Sequence, residues 1–256
     1  MTTRNPLSSF LDGLTLPLRA AVFLLARPGL WLLVLAPLVL NCLLLGGLLY
    51  WGFTTFADAL KGWSAASAGW HWAALAVLVK ALFWIVVLAV VYFVFTPMAL
   101  LIAAPFNDWL AESTERACGI GLGEHGRPRW KALAGEALYA LVAESVRIAF
   151  CGSILVFLLA LNLIPVWGAA LYLVLSFYWA MRCAAFEFIS YAADRRRIPF
   201  RGKWGLLRRD APSSYGFGVA TVFLLSIPFV NALAVPVCAV AGTFLFAKMQ
   251  SDRRDT

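Results

Sequence analysis

The sequence predicts an all-α integral membrane protein with two long transmembrane helices, two Pro-centred re-entrant helical hairpins and an N-terminal amphipathic helix. Three observations lead there. Hydrophobic residues make up 62% of the 256 residues and the mean hydropathy is +0.83, whereas a soluble domain is about half apolar. Four stretches, 28–57, 81–107, 148–181 and 211–247, carry no Asp, Glu, Lys or Arg. Each exceeds the ~20 apolar residues that span a ~30 Å hydrocarbon layer, and lipid demands that backbone groups be paired within the segment, so they are helical. Finally, the last two stretches share an Ile-Pro-x-x-(Gly/Asn)-Ala centre, at 164–169 and 227–232.

The whole chain, 1–256, reads as a single membrane domain. Within 6–26, Leu7, Phe10, Leu11, Leu14, Leu18, Ala21, Val22 and Leu25 follow helical spacing, while Ser8, Ser9, Asp12, Thr15 and Arg19 fall on the other face. Asn5 caps the start, Pro6 suits the first turn, and Pro17 bends the helix. An interfacial helix fits the pattern; docking on the bundle is the alternative. Arg27-Pro28-Gly29 then breaks the chain ahead of a first span at 30–56. A second span runs from 71 to 104, where Lys80 is the only ionisable group after His71 and snorkels to the interface. At ~51 Å this helix must project from the bilayer.

Residues 107–147 form cytoplasmic helices. Asn107 is expected to cap the first, Glu112 and Arg116 to pair at i, i+4, and Gly119 to end it. A second helix opens at Pro128 and runs into the next apolar stretch. In the hairpins, 148–181 and 215–247, proline stops the helix, and Gly168 or Asn231 offers turn geometry. Each arm of the first hairpin is ~16 residues, or ~24 Å, short of a full crossing. Charge agrees. Were each block a single crossing, segment 182–214, with eight basic residues, would face outward against the positive-inside rule. If each block returns to the face it entered, every basic residue except Lys61 and Lys80 shares one side, the cytoplasm.

Several chemistries are excluded on composition and spacing. The net charge of +8 lies in loops, where it sets topology, so no nucleic-acid partner is implied. Five cysteines without a CxxC pair read as small apolar filler. Gly119-Ile120-Gly121-Leu122-Gly123-Glu124 lacks the strand and the Lys-Ser/Thr of a phosphate loop. His71 and His125 have no metal-ligand spacing, and no nucleophile–base set is evident. The chain is expected to be no enzyme and to hold no cofactor or metal. Asp194-Arg195-Arg196-Arg197 and Arg208-Arg209 form a basic cluster that either fixes topology or gathers anions and anionic lipid. Asn41, Asn162 and Asn231 are expected to hydrogen-bond between helices.

Longer strings carry a family resemblance. Ile102-Ala103-Ala104-Pro105-Phe106-Asn107 with Leu110-Ala111-Glu112, Ile198-Pro199-Phe200 after Asp194, and Ile227-Pro228 with Asn231, Val235-Pro236 and Gly242-Thr243 resemble signatures of the CysZ-type sulfate permeases, over about residues 7–247. The resemblance implies a bacterial inner-membrane protein admitting sulfate for cysteine synthesis, with two long helices and two hemi-penetrating hairpins, assembled as a homo-oligomer in the lipid bilayer. It also implies an anion site at a Gly-Leu-Arg element opening the first long helix. Here that element reads Gly29-Leu30-Trp31-Leu32, and both of the family's cations are gone. Each lost charge-assisted hydrogen bond is worth roughly 1.5–3 kcal/mol, about ten- to a hundredfold in affinity. Arg27 is the available replacement, so Arg27, Gly29 and Leu30 are the candidate anion-binding residues, with Arg116 as an electrostatic helper. The expected function is passage of sulfate or a related oxyanion; the alternative is a non-transporting protein that binds lipids or partners through its basic face.

Overall fold

The computed structural model describes residues 5–64, 70–119, 133–165, 167–227 and 230–254. The Gly-rich loop beyond Gly119, His125 and the expected helix start at Pro128 lie outside them. Every regular element among the described residues is helical, so the all-α class holds. The elements are α1 (Pro6–Leu25), a 3₁₀ turn (Pro28–Leu30), α2 (Trp31–Ser64), α3 (Trp70–Val90), a π-helical turn (Val91–Phe95), α4 (Thr96–Ala117), α5 (Leu133–Ala160), a second 3₁₀ turn (Leu161–Leu163), α6 (Gly168–Arg195), α7 (Phe200–Arg209), α8 (Ala211–Ser226) and α9 (Val230–Arg254). Among the described residues, five stretches are long and apolar enough to cross a membrane: Pro6–Leu25, Pro28–Asp58, Ser145–Leu163, Gly168–Arg195 and Val230–Ser251. This is a multi-pass membrane protein.

The chain divides into two compact units, Leu32–Phe106 and the remainder, Met1–Trp31 with Asn107–Thr256. In the first, α2 and α3 stack Phe56 on Phe83 at 3.7 Å, and the Asn41 amide donates to the Ala99 carbonyl (3.3 Å), an inter-helix bond of the kind its apolar setting demands. Leu32, Leu43, Trp51, Val77, Leu82 and Leu88 face outward, as lipid-exposed helices require. The π turn ends two residues before Pro97.

The second unit holds the core. Phe186, Ile189 and Ala192 of α6, Phe217 of α8, and Val240, Leu245 and Phe246 of α9 are buried together with Leu110, Ala111 and Leu207. Helices α5 and α6 run antiparallel: Arg147 pairs with Glu187, and Cys151 lies 3.5 Å from Cys183. Arg196, just past α6, lies over the Phe246 ring of α9 (4.9 Å), while Lys248 of α9 reaches Asp210 at the start of α8 (3.7 Å). The ends of α6 and α9 and the start of α8 therefore meet at one level. Helix α5 and helix α6 each span 28 residues and α9 spans 25; only α8, with 16, falls below crossing length. A re-entrant first hairpin thus rests on charge distribution, not on arm length.

Two local expectations change. Asn107 caps nothing: α4 runs through it unbroken, and it is buried inside that helix. The Asn162 amide bonds its own turn, to the Leu159 carbonyl (3.2 Å), rather than a neighbouring helix. Others hold. Asn5 accepts from the Leu7 N–H (3.1 Å), and α4 ends at Ala117, two residues before Gly119, whose φ of +65° suits the left-handed region that glycine enters without strain.

Candidate functional site

The break between α1 and α2 is a single 3₁₀ turn. The Leu30 N–H donates to the Arg27 carbonyl (3.0 Å) and the Trp31 N–H to the Pro28 carbonyl. Proline has no N–H, so Gly29 offers the one amide of the turn without an acceptor among the described residues. The turn consumes donors that a bare helix start would have left for an anion. Trp31, where the resemblance implies a cation, is also committed: its indole N–H donates to the Leu24 carbonyl (2.9 Å). Leu32 is exposed and offers only hydrocarbon.

Arg27 is the exposed cation beside this turn. Its guanidinium lies 4.1 Å from the Phe23 ring centroid, a cation–π contact that orients it, and Phe23 meets Phe244 edge-on at 5.3 Å. Phe244 in turn lines a cavity of about 340 Å³ with Asp12, Leu16, Arg19 and Lys248. Both of that cavity's cations are matched by Asp12, at 3.3 Å for Arg19 and 3.7 Å for Lys248. The Arg27 charge is also felt at Cys118, just past α4. Burial pushes the Cys118 thiol up, and the Arg27 charge acts against that rise. Arg27, Gly29 and Leu30 are thus contiguous, with the Arg27 guanidinium over the Phe23 ring. Arg116 itself is exposed and paired with Glu112 one turn back, an arrangement that leaves little field to share.

The basic cluster proves to be two populations. Arg195 donates through Nη1 to the Asp108 carboxylate (2.8 Å) and to the Asp108 carbonyl (2.7 Å), and its Nε lies 3.6 Å from Glu115. Arg196 donates to Glu115 at 2.9 Å and to the Ala192 carbonyl at 3.0 Å. Glu115 is fully buried. These two arginines are internal ties between α4 and the end of α6. Lys203 is likewise buried and paired with Asp194 (2.5 Å). The outward-facing basic residues here are Arg197, Arg201, Arg208 and Arg209. Burial raises the Asp108 carboxyl above its ordinary 3.8; Arg195 opposes the rise, and Glu112, Glu115 and Asp194 add to it.

Sequence reasoning missed Glu115 as a buried partner. The signal was present: Glu115 follows Ala111 by four residues, so it shares a helix face with Leu110, Ala111 and Thr114, all buried. A second tie was also missed. The Lys248 ammonium donates to the Ser213 hydroxyl (2.8 Å), which donates onward to the Ser9 carbonyl (3.0 Å).

A multi-pass helical membrane protein with paired helices, arginines tied inward and one cation beside a broken helix start is the class these features define. Residues 16–236 match the family described as sulfate transporter CysZ/etoposide-induced protein 2.4, and the chain belongs to that family. Similar relatives include the protein named sulfate transporter CysZ of Pseudomonas syringae pv. tomato, 32% identical over 90% of both chains. Its namesake in Pseudomonas fluorescens is 33% identical, again over 90% of both. That of Vibrio cholerae is 29% identical over 86% of both.

Proposed function

We propose that this chain is a bacterial inner-membrane permease for sulfate or a closely related oxyanion, supplying cysteine biosynthesis, and that it works as a homo-oligomer without nucleotide. The observation that carries the reading is the family match across 16–236, with relatives named as sulfate transporters over most of their length. Arg27 supports it from the site, as an exposed cation two residues before Gly29. The anion would take the Arg27 guanidinium and the Gly29 N–H, with Leu30 shaping the turn and Arg116 contributing weakly. The meeting of the α6 and α9 ends supports the companion proposal, that both hairpins return to the face they enter and leave 182–214 and the C-terminal tail on the cytoplasmic side.

Reconstitution tests the proposal. Purified protein in liposomes should take up labelled sulfate, and Arg27→Ala should weaken the apparent affinity about ten- to a hundredfold, the value of one charge-assisted hydrogen bond. Flux no greater than that of empty vesicles, across a panel of oxyanions, refutes it. The rival reading, a non-transporting protein acting through a basic face, draws on Trp31 and Leu32 standing where the family has cations. It loses ground because Arg195, Arg196 and Lys203 are spent on internal carboxylates.

A further inference from the structure

Arg182 is an anomaly that neither the turn at Arg27 nor the ion-pair ties explain. It lies on α6 with 6% of its surface exposed, and its Nη1 is buried without a hydrogen-bond acceptor. No carboxylate among the described residues pairs with it; Glu187, on the same helix, is held by Arg147. Its neighbours are aromatic faces instead, Trp204 of α7 at 5.0 Å and Tyr215 of α8 at 5.3 Å. Cation–π contacts offset part of the cost of burying a guanidinium, yet its N–H donors still need acceptors.

The surroundings add donors and no acceptor charge. Trp179, one turn before Arg182, stacks on Trp204 with rings nearly parallel at 5.6 Å. Both indole N–H groups are buried without partners, and an indole nitrogen can only donate. At the exposed edge the Tyr178 and Tyr215 hydroxyls bond each other at 3.0 Å. Three helices thus converge on a guanidinium and two indole N–H groups that share one unmet need. The ligand chemistry that meets it is an anion with several oxygen acceptors.

We propose that Arg182, Trp179 and Trp204 form a seat for a tetrahedral oxyanion, separate from the Arg27 turn, entered past the Tyr178–Tyr215 pair. The setting favours a phosphate carried by an anionic phospholipid. Val174, Leu175 and Phe177, just before the rim on α6, are exposed hydrocarbon against which acyl chains can lie. Arg201, Arg208 and Arg209 on α7 face outward, where basic residues attract anionic headgroups. Inorganic sulfate offers the same oxygens and is the other source.

Binding decides this without any flux measurement. The full chain in detergent is titrated with inorganic sulfate, and separately with short-chain phosphatidylglycerol against phosphatidylcholine, reading thermal stabilisation and retained lipid by native mass spectrometry. A response to phosphatidylglycerol alone assigns a lipid phosphate; a response to sulfate assigns a free oxyanion; either supports the seat if it depends on Arg182. Arg182→Met should weaken that binding about tenfold or more. Trp179→Phe keeps an aromatic face beside Trp204 but removes the indole N–H together with the five-membered ring, so it should weaken binding severalfold in protein that still melts cooperatively, which covers the case of a poorly folding Arg182 variant. Equal binding by wild type, Arg182→Met and Trp179→Phe, or no selective binding by wild type, overturns the proposal.

Discussion

Removing the Glu115 carboxylate is the sharpest probe of how the second unit is held. Glu115 is fully buried and carries the 2.9 Å bond from Arg196 and the 3.6 Å pairing with Arg195. Deleting one partner of a buried ion pair costs about 3–5 kcal/mol, because a charge is stranded away from water. Here the lower end applies. Arg195 keeps both contacts to Asp108, and Arg196 keeps the Ala192 carbonyl and the Phe246 face, so neither guanidinium is wholly stranded. Glu115→Ala should therefore lose about 3 kcal/mol, measured by reversible denaturant titration in mixed micelles. Glu115→Gln, which still accepts a neutral hydrogen bond, should lose about 1–2 kcal/mol. Removing the stranded cation as well should return part of the loss, so Glu115→Ala with Arg196→Ala should show a coupling of at least about 1 kcal/mol. A loss under about 1 kcal/mol, or strict additivity, would refute the view of Glu115 as the tie between α4 and α6.

Other consequences follow from single contacts. Asp108 holds its proton more tightly folded than unfolded, so its ionisation removes stability as pH rises above about 3.8; Asp108→Asn should flatten that fall in melting temperature, and an unchanged slope counts against it. Cys151 and Cys183, 3.5 Å apart, should cross-link within one chain under a mild oxidant, with peptide mapping to confirm the pair; failure of that link would break the α5–α6 register. A side chain at Gly216 would strike the Phe10 carbonyl, so Gly216→Val should cost about 1–3 kcal/mol and expose a cysteine placed at buried Ser9 to maleimide. If that cysteine stays protected, α1 is not docked through this contact.

The sequence disclosed what repetition and exclusion can disclose. Charge-free runs longer than a bilayer located the apolar helices, and Pro165 located the break between α5 and α6; Pro228 lies outside the described residues. Pairing across distance was hidden. Arg195 and Asp108 are separated by 87 residues and Ser213 and Ser9 by 204, and no local period records such partners. Arginines read as one cluster therefore split by direction, Arg195 and Arg196 inward and Arg208 and Arg209 outward, because the end of α6 turns there at Arg197, with its φ of +49°. At the candidate site the residues were legible but the donors were not. A 3₁₀ turn occupies the Leu30 and Trp31 amides, and no sequence period marks it.

Helix α1 shows why amphipathicity read as for a soluble protein assigns the wrong face to packing. Its leucine stripe, Leu7, Leu11, Leu14, Leu18 and Leu25, points outward, while Ser9, Gly13, Leu16, Pro17, Ala20 and Leu24 are buried against α8 and α9. In water the stripe would be driven inward. In lipid it gains nothing by leaving hydrocarbon for hydrocarbon, so association falls to close backbone approach and polar contact. Gly13 and Gly216 supply the first: added Cβ atoms would strike the Ser213 and Phe10 carbonyls. The Ser213–Ser9 bond and the Lys248–Asp12 pairing supply the second. Small and polar residues of this helix thus face the bundle and its leucines face outward.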